Sequence, residues 1–354
     1  MAALVEEIRR RPAHQYCLIH TGQHSSPEMS ATFFDQLELP APDLNLEVGS
    51  GTPVQQTAEI LKRLESPLVE AAPDVVVVVG DVNSTLAAAL AAAKLGIKIA
   101  HVEAGLRSFD RSMPEELNRS VTDALSDYLF VSEPSGEQNL LGEGVPREKI
   151  FLVGNVMIDT LLRFRARAER SDVLERTGLR PASYAVVTLH RPSNVDRSFA
   201  LAGLLEALRR LAGLLPVVFP VHPRTRQSLE ASRLDTTGLV VIAPLSYLDF
   251  LQLMSRARLV LTDSGGIQEE TTILQVPCLT LRANTERPVT IEQGTNRLVG
   301  ADPDKILEAA REVLAGPPAS GRIPALWDGR AAGRILDVLE KATAGRAALA
   351  ARRA

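Results

Sequence analysis

Two acidic side chains, Asp81 and Glu103, each follow a short apolar run, VVVVVG and IKIAHV. Carboxylates paired in a half-buried site push their pKa values apart, which separates an acid from a base. Taken singly, each has a simpler reading: helix capping for Asp81, and a salt bridge to Arg107 for Glu103. Glu115 follows Met113-Pro114 and suits the first turn of a helix. The loop that leads to it, residues 107–112, carries three charges. A second set of residues is basic. His190-Arg191 and His222-Pro223-Arg224-Thr225-Arg226 each follow an apolar run, and Arg282 and Arg287 follow another. Together they form a diphosphate-sized pool of positive charge. A histidine beside an arginine at such a place suits anion binding or proton transfer. Near them Ser264-Gly265-Gly266 breaks the run RLVLTD and opens a helix. Glycines at that switch let backbone N–H groups face an anion, and the helix N-terminus adds partial positive charge. Glu270, further along, has the reach for a sugar hydroxyl. Alone, this turn reads as an ordinary tight connection; the surrounding cations favour the anion site.

These residues need elements that present them together. Ten apolar runs of strand length alternate with segments of helical periodicity. Five precede residue 160: 15–20, 74–79, 97–102, 127–131 and 150–153. Five follow residue 183: 184–189, 216–221, 238–243, 258–262 and 277–281. Short, continuously apolar strands with helical crossovers mean parallel sheets covered on both faces. The expected fold is therefore α/β, with two doubly wound Rossmann-like domains. Residues 1–160, joined by a closing helix at 331–354, form the first, which carries the carboxylates. Residues 161–330 form the second, whose cations are expected to face a nucleotide-like anion. Ligands of such sheets bind outside the carboxyl ends of the strands. The acidic and basic rims are thus expected to face each other across a cleft.

Composition narrows the function. The chain has 354 residues, 45% of them hydrophobic, which gives ample core for two domains. No stretch is long and apolar enough to span a bilayer, and no signal-peptide pattern opens the chain. Net charge of −4 and 4% aromatics disfavour a nucleic-acid partner. Cys17 and Cys278 are the only cysteines. Both lie in strand-like runs and are expected to be buried thiols, as in a cytoplasmic protein. No Cys/His group has zinc spacing.

The motifs HVEAGLRS at 101–108, MPEELNR at 113–119, GNVMIDTL at 154–161, LHRPSNVD at 189–196, PVHPRTR at 220–226, LTDSGGIQEE at 261–270 and TERP at 285–288 stand in order along the chain. Together they resemble the non-hydrolysing UDP-N-acetylglucosamine 2-epimerases. The resemblance implies a fold like that of the GT-B glycosyltransferases. It implies interconversion of UDP-GlcNAc and UDP-ManNAc by elimination of UDP to a 2-acetamidoglucal and re-addition, without metal, NAD or other cofactor. It also implies a homodimer serving envelope or capsule polysaccharide. Asp81, Glu103, Glu115 and His190 match the family's catalytic positions. Ser264, Gly265 and Gly266 match its diphosphate contacts, Glu270 its ribose contact, Arg287 a phosphate or uridine contact, and Phe250 the uracil site. Arg107, His222 and Arg224 complete the expected substrate-binding set. Nothing in the residues says which carboxylate is acid and which base.

The chain departs from the family pattern in places. Met1-Ala-Ala-Leu-Val matches the helix that follows the family's first strand and its G-T-R-P-E loop. The expectation is a natural start upstream, by roughly 10–20 residues for a strand and a turn. A chain beginning at Met1 is expected to be less stable and to bind UDP weakly. Ser193 stands where many members have glutamate. Of two regulatory glutamines three apart in some bacterial members, only Gln23 is present, so activation by substrate is not expected. TGQH at 21–24 and the stretch 29–34 also occur in epimerases of 2,3-diacetamido uronic-acid nucleotides. That relative, a hydrolysing epimerase and an inactive sugar-nucleotide-binding protein are the alternatives.

Overall fold

The computed structural model describes residues 1–23, 34–317 and 321–351, with side chains through residue 343. His24, residues 29–33 of the second stretch above and residues 352–354 of the expected closing helix lie outside the described residues. The chain divides into two compact units, Met1–Thr160 with Ala325–Ala354, and Leu161–Pro324. The division falls inside the helix Val156–Ala168.

In the first unit, β3 (Val75–Val79), β4 (Lys98–Val102), β5 (Tyr128–Val131) and β6 (Ile150–Leu152) form a parallel sheet in that order. β1 (Ile19–His20) and β2 (Leu44–Asn45) pair separately. The register sets Val79 opposite Val102, so the loops bearing Asp81 and Glu103 leave neighbouring strands at the same level. Parallel neighbours lie about 4.8 Å apart. One core cluster joins Val102 and Phe130 of the sheet to Ala3 and Leu4 of the helix Ala2–Arg9. The same cluster takes in Ala332, Ile335 and Leu339 of the helix Ala331–Ala351.

The second unit holds six parallel strands in the order β12-β11-β10-β7-β8-β9. They are β7 (Ala185–Thr188), β8 (Val217–Pro220), β9 (Val240–Ile242), β10 (Leu259–Thr262), β11 (Cys278–Thr280) and β12 (Asn296–Leu298). The order builds outward in both directions from the β7–β10 pair, where Thr188 stands opposite Thr262. That pair is the topological switch point, the place in such a sheet where a crevice opens for ligand. Central strands β7 and β10 are buried on both faces, which is why they read as unbroken apolar runs.

The expected strands are found, each shortened at its ends, and the run at 15–20 shrinks to two residues. β2 and β12 were not expected: LN and NRL are too short and polar to register as runs. Cys17 is exposed, not buried, because it precedes the surviving part of β1; Cys278 is buried. The helix Asn83–Lys94 has no side-chain cap; its N-cap is Val82 and not Asp81, and Asn83 and Ser84 are its first residues. Their side chains are engaged elsewhere, Asn83 with Gln56 at 3.0 Å and Ser84 with Gln23 at 2.6 Å.

The GNVMIDTL motif turns out to be a clamp for the C-terminal segment. Gly154 has φ +89°, and a Cβ there would lie 2.1 Å from the Leu326 carbonyl oxygen; glycine alone fits. Trp327 Nε1 donates to the Ser132 carbonyl at 2.9 Å. Asp159 accepts from the backbone N–H groups of Ala331 and Ala332 at 3.1 and 2.8 Å, and so caps the last helix from outside it. Asp159→Ala removes both acceptors from buried donors, at about 1–3 kcal/mol. Its denaturation midpoint is expected to fall, with the loss confined to the first unit in hydrogen exchange. Unchanged protection of Ala331 and Ala332 would refute the clamp.

Candidate active site

In the first unit the site grows from a helix with a polar inward face. Of the helix Pro114–Leu125, the buried residues are Glu116, Asn118, Arg119, Thr122 and Asp123. A buried charge needs partners, and Glu116, Arg119 and Asp123 have them. Arg119 bonds the Asp81 carboxylate and, at 2.7 Å, Glu116. Asn118 Nδ2 donates to the Asp81 carbonyl at 2.8 Å. Asp81 is thus held at side chain and backbone while remaining partly open. Glu116 accepts from the N–H groups of Ser108 and Phe109, both at 2.9 Å, which shapes the loop 107–112. Burial opposes ionisation of Glu116, but the Ser108 and Arg119 hydrogen bonds outweigh it and lower its pKa.

Glu103 is half-buried and has φ +71°. A non-glycine residue in this region costs about 1–3 kcal/mol, and such strain gathers at functional sites. Glu115 is half-buried in the first turn of its helix, as expected. Arg107 is a correction. Its side chain is buried, pairing with Asp123 at 2.7 Å and doubly with Glu143 at 2.8 Å. It braces the loop from inside, and it pairs with these acids where the sequence offered Glu103.

In the second unit the site sits at the switch point. His190 follows β7, and Asp263 and Ser264 follow β10. His190 Nδ1 lies 2.8 Å from the buried Asp263 carboxylate, and the imidazole is 39% exposed. Asp263 also accepts from the N–H groups of His190 and Arg191 and from Asn194 Nδ2, all at 3.1 Å. Burial pushes the Asp263 carboxyl up, but these donors, His190 first, hold it below its ordinary value. The carboxylate therefore fixes Nδ1 as a donor and turns Nε2 outward. His222 lies beside this ring at 5.9 Å, and its Nδ1 accepts from Arg224 N–H at 3.2 Å as a helix cap. Arg224 forks onto Asp196 at 2.8 and 2.6 Å.

The pool of positive charge is also corrected. Arg287 Nε donates to Glu269 at 2.7 Å, and its Nη1 bonds Glu286. Arg282 bonds the same Glu286 at 2.7 Å, with Arg191 3.7 Å away. Both Arg282 and Arg287 are buried, so their charges are balanced inside the fold. This cluster explains Gly265: a Cβ would come 2.3 Å from Arg287 Nη1 and 2.7 Å from Glu286 Oε1. Arg287 backs the turn Ser264-Gly265-Gly266. Ser264 gives no side-chain cap to the helix Gly265–Leu274. The anion-binding capacity of this turn resides in backbone N–H groups and the helix dipole. Glu270 is buried on that helix and accepts from the Tyr247 hydroxyl at 3.3 Å. Burial pushes its carboxyl up to about 7. Phe250 is half-buried on the neighbouring helix Tyr247–Ser255.

Sequence reading missed Asp123, Arg119, Asp263, Glu269 and Glu286. One signal was available: Glu116, Arg119 and Asp123 fall at helical spacing on one face. Among the described residues, no group of three or more His, Cys, Asp or Glu could hold a metal ion, and no helix is long and apolar enough to cross a membrane.

Comparison with known proteins places the chain in one family. Residues 6–340 match the family model described as UDP-N-acetylglucosamine 2-epimerase. The chain is 43% identical over 332 residues to UDP-N-acetylglucosamine 2-epimerase of Methanocaldococcus jannaschii, covering 91% of this chain and 90% of that one. It is 42% identical over 327 residues to UDP-2,3-diacetamido-2,3-dideoxy-D-glucuronate 2-epimerase of Pseudomonas aeruginosa, covering 92% and 91%. The crystal structure of the M. jannaschii UDP-GlcNAc 2-epimerase in complex with UDP-GlcNAc and UDP superposes with a TM-score of 0.91 at 41% identity. It covers 96% of this chain and 95% of that one. The fold is therefore GT-B-like, with two Rossmann-like domains.

Glu270 yields a pH prediction. Its folded pKa, about 7, lies above the ordinary 4.5, so folding favours the protonated form. That stabilisation is complete below about pH 4.5 and is lost as pH rises through about 7. Glu270→Gln stays neutral throughout. In denaturant titrations the variant should gain on the parent mainly between about pH 4.5 and 7; a constant difference would show that the carboxyl titrates as an exposed one.

Proposed function

The chain belongs to the UDP-N-acetylglucosamine 2-epimerase family, and from that premise we propose that it interconverts UDP-GlcNAc and UDP-ManNAc without hydrolysis. A base takes the C2 proton while the C1–O bond breaks. The C–H electron pair becomes the C1=C2 bond of a 2-acetamidoglucal, and UDP departs with the C1–O pair. UDP then returns to C1 as a proton is delivered to the opposite face of C2. Inversion at one carbon by this route needs two proton carriers and a cradle for the leaving diphosphate.

What supports the reading most is the pair Asp81 and Glu103, leaving neighbouring strands in register, one ion-paired to Arg119 and the other on strained backbone. With Glu115 they are the proposed proton carriers. The turn Ser264-Gly265-Gly266 is proposed to hold the diphosphate, with His190, oriented by Asp263, meeting the charge that develops on it. His222 stands beside that ring, and Arg224 is proposed to exchange Asp196 for phosphate. Glu270 is proposed to accept the ribose hydroxyls, and Phe250 to line the uracil. Arg287 is proposed to act on the nucleotide through the turn it backs.

A second reading follows from the near-equal identity to the P. aeruginosa enzyme named for a diacetamido uronate: the same chemistry on that sugar. Proton NMR in D₂O with each UDP-sugar separates the two. Deuterium at C2 together with the UDP-linked epimer establishes the proposed reaction on whichever sugar shows it. Free ManNAc with UDP would overturn the non-hydrolysing assignment. Glu103→Gln is expected to lower turnover by about 100-fold or more while leaving UDP affinity, measured by calorimetry, near that of the parent. An active variant would remove Glu103 from the chemistry.

A further inference from the structure

His101 is the penultimate residue of β4 and is completely buried. Its Nε2 lies 2.9 Å from the Gly80 carbonyl oxygen and its Nδ1 2.6 Å from Asp123 Oδ1. A carbonyl only accepts, so Nε2 carries a proton. The other Asp123 oxygen receives the Gly105 N–H at 3.0 Å and Arg107 Nη2 at 2.7 Å. Burial opposes ionisation of Asp123, but the His101 ring and the Arg107 guanidinium outweigh it and hold the carboxyl below its ordinary value; Asp123 is the anion, and Nδ1 carries a proton as well. The ring is an imidazolium. Burial alone would drive it neutral, but Asp123, the Gly80 carbonyl and the nearby Glu103 outweigh burial and raise its pKa.

The ring holds the loop of one proposed proton carrier directly, through Gly80, and that of the other through Asp123 and the Gly105 N–H. Gly80 precedes Asp81, and its N–H is tied to the Val102 carbonyl at 3.0 Å. Gly105 lies two residues after Glu103, and the intervening Ala104 N–H is tied to Phe130 at 3.1 Å. The positive φ of Glu103 is thus clamped from both sides.

We propose that His101 is a positioning residue: a buried imidazolium that, with Asp123, fixes the Asp81 loop against the Glu103 loop and holds Glu103 in its strained backbone. This rests on the reading of Asp81 and Glu103 as proton carriers. A neutral ring could not serve, since it has one N–H for two acceptors. Nor does His101 touch substrate, being enclosed by β3, β4 and the helix Pro114–Leu125.

Selective ¹⁵N-histidine labelling of the unliganded protein tests the charge without any substitution. The chain has six histidines. One of them should keep protons on both ring nitrogens at about pH 8.5, two units above the ordinary histidine pKa. His101→Asn, which loses that signal, identifies it; a neutral ring for His101 at that pH overturns the proposal. Positioning is read by kinetics. His101→Asn keeps a donor for Asp123 and loses the one for Gly80, whereas His101→Gln does the reverse. Each should lower kcat by about 10- to 100-fold, no more than the lower end of what acid–base catalysis contributes, with KM and UDP affinity within about threefold. Adding Glu103→Gln to either should cost less than it does alone. Full kcat in a variant with a lowered denaturation midpoint would reduce His101 to a structural role and overturn the proposal. If the parent turns over neither UDP-sugar, the functional reading fails, while the nitrogen spectrum still decides the charge of the ring.

Discussion

A buried aspartate that must be surrounded by donors organises the ligand end of each unit. A carboxylate removed from water is costly unless hydrogen bonds replace its hydration. In the first unit Asp123 gathers His101, Gly105 N–H and Arg107. In the second, Asp263 gathers His190 through ring and backbone, Arg191 N–H and Asn194. Both aspartates are buried. Each converts flexible strand-end loops into fixed ones, because releasing any donor would leave charge exposed to an apolar interior.

The same economy governs the cations. A protein that binds a diphosphate with free guanidinium groups would repel them from one another when empty. Here Arg282 and Arg287 are neutralised by Glu286 and Glu269, and the turn they support offers N–H dipoles. Dipoles need no counter-charge in the empty state and lose little on reorganisation. Arg224 and Asp196, by contrast, form a half-exposed pair. Surface pairs of this kind are worth little, so Arg224 can exchange its partner at small cost.

Architecture was largely legible in the sequence because buried parallel strands announce themselves as apolar runs. Val75–Val79 and Leu259–Thr262 are examples. Strand-end position then pointed to Asp81, Glu103, His190 and the turn at Ser264. Pairing was not legible. Arg107 reads equally well as a partner for Glu103 or for a ligand, and only the fold brings Asp123 and Glu143 to it. Arg287 was counted with the anion-binding cations because Glu269 lies in a different motif, brought to it by tertiary packing alone, and Glu286, which stands near both Arg282 and Arg287 in the sequence, was not read as their shared partner. Strands β2 and β12 escaped notice because two or three residues carry no periodicity.

The first unit is not made from continuous chain. Its core needs Phe130 and Val102 from the sheet together with Ala332, Ile335 and Leu339 from the last helix, and Gly154 and Asp159 wait for Leu326, Ala331 and Ala332. A ribosome delivers these pieces far apart in time, at about 5–20 residues per second. The second unit, Leu161–Pro324, is made before Ala332, Ile335 and Leu339, so the core of the first stays open until those residues follow it. The unit that is begun first is therefore the one whose core closes last.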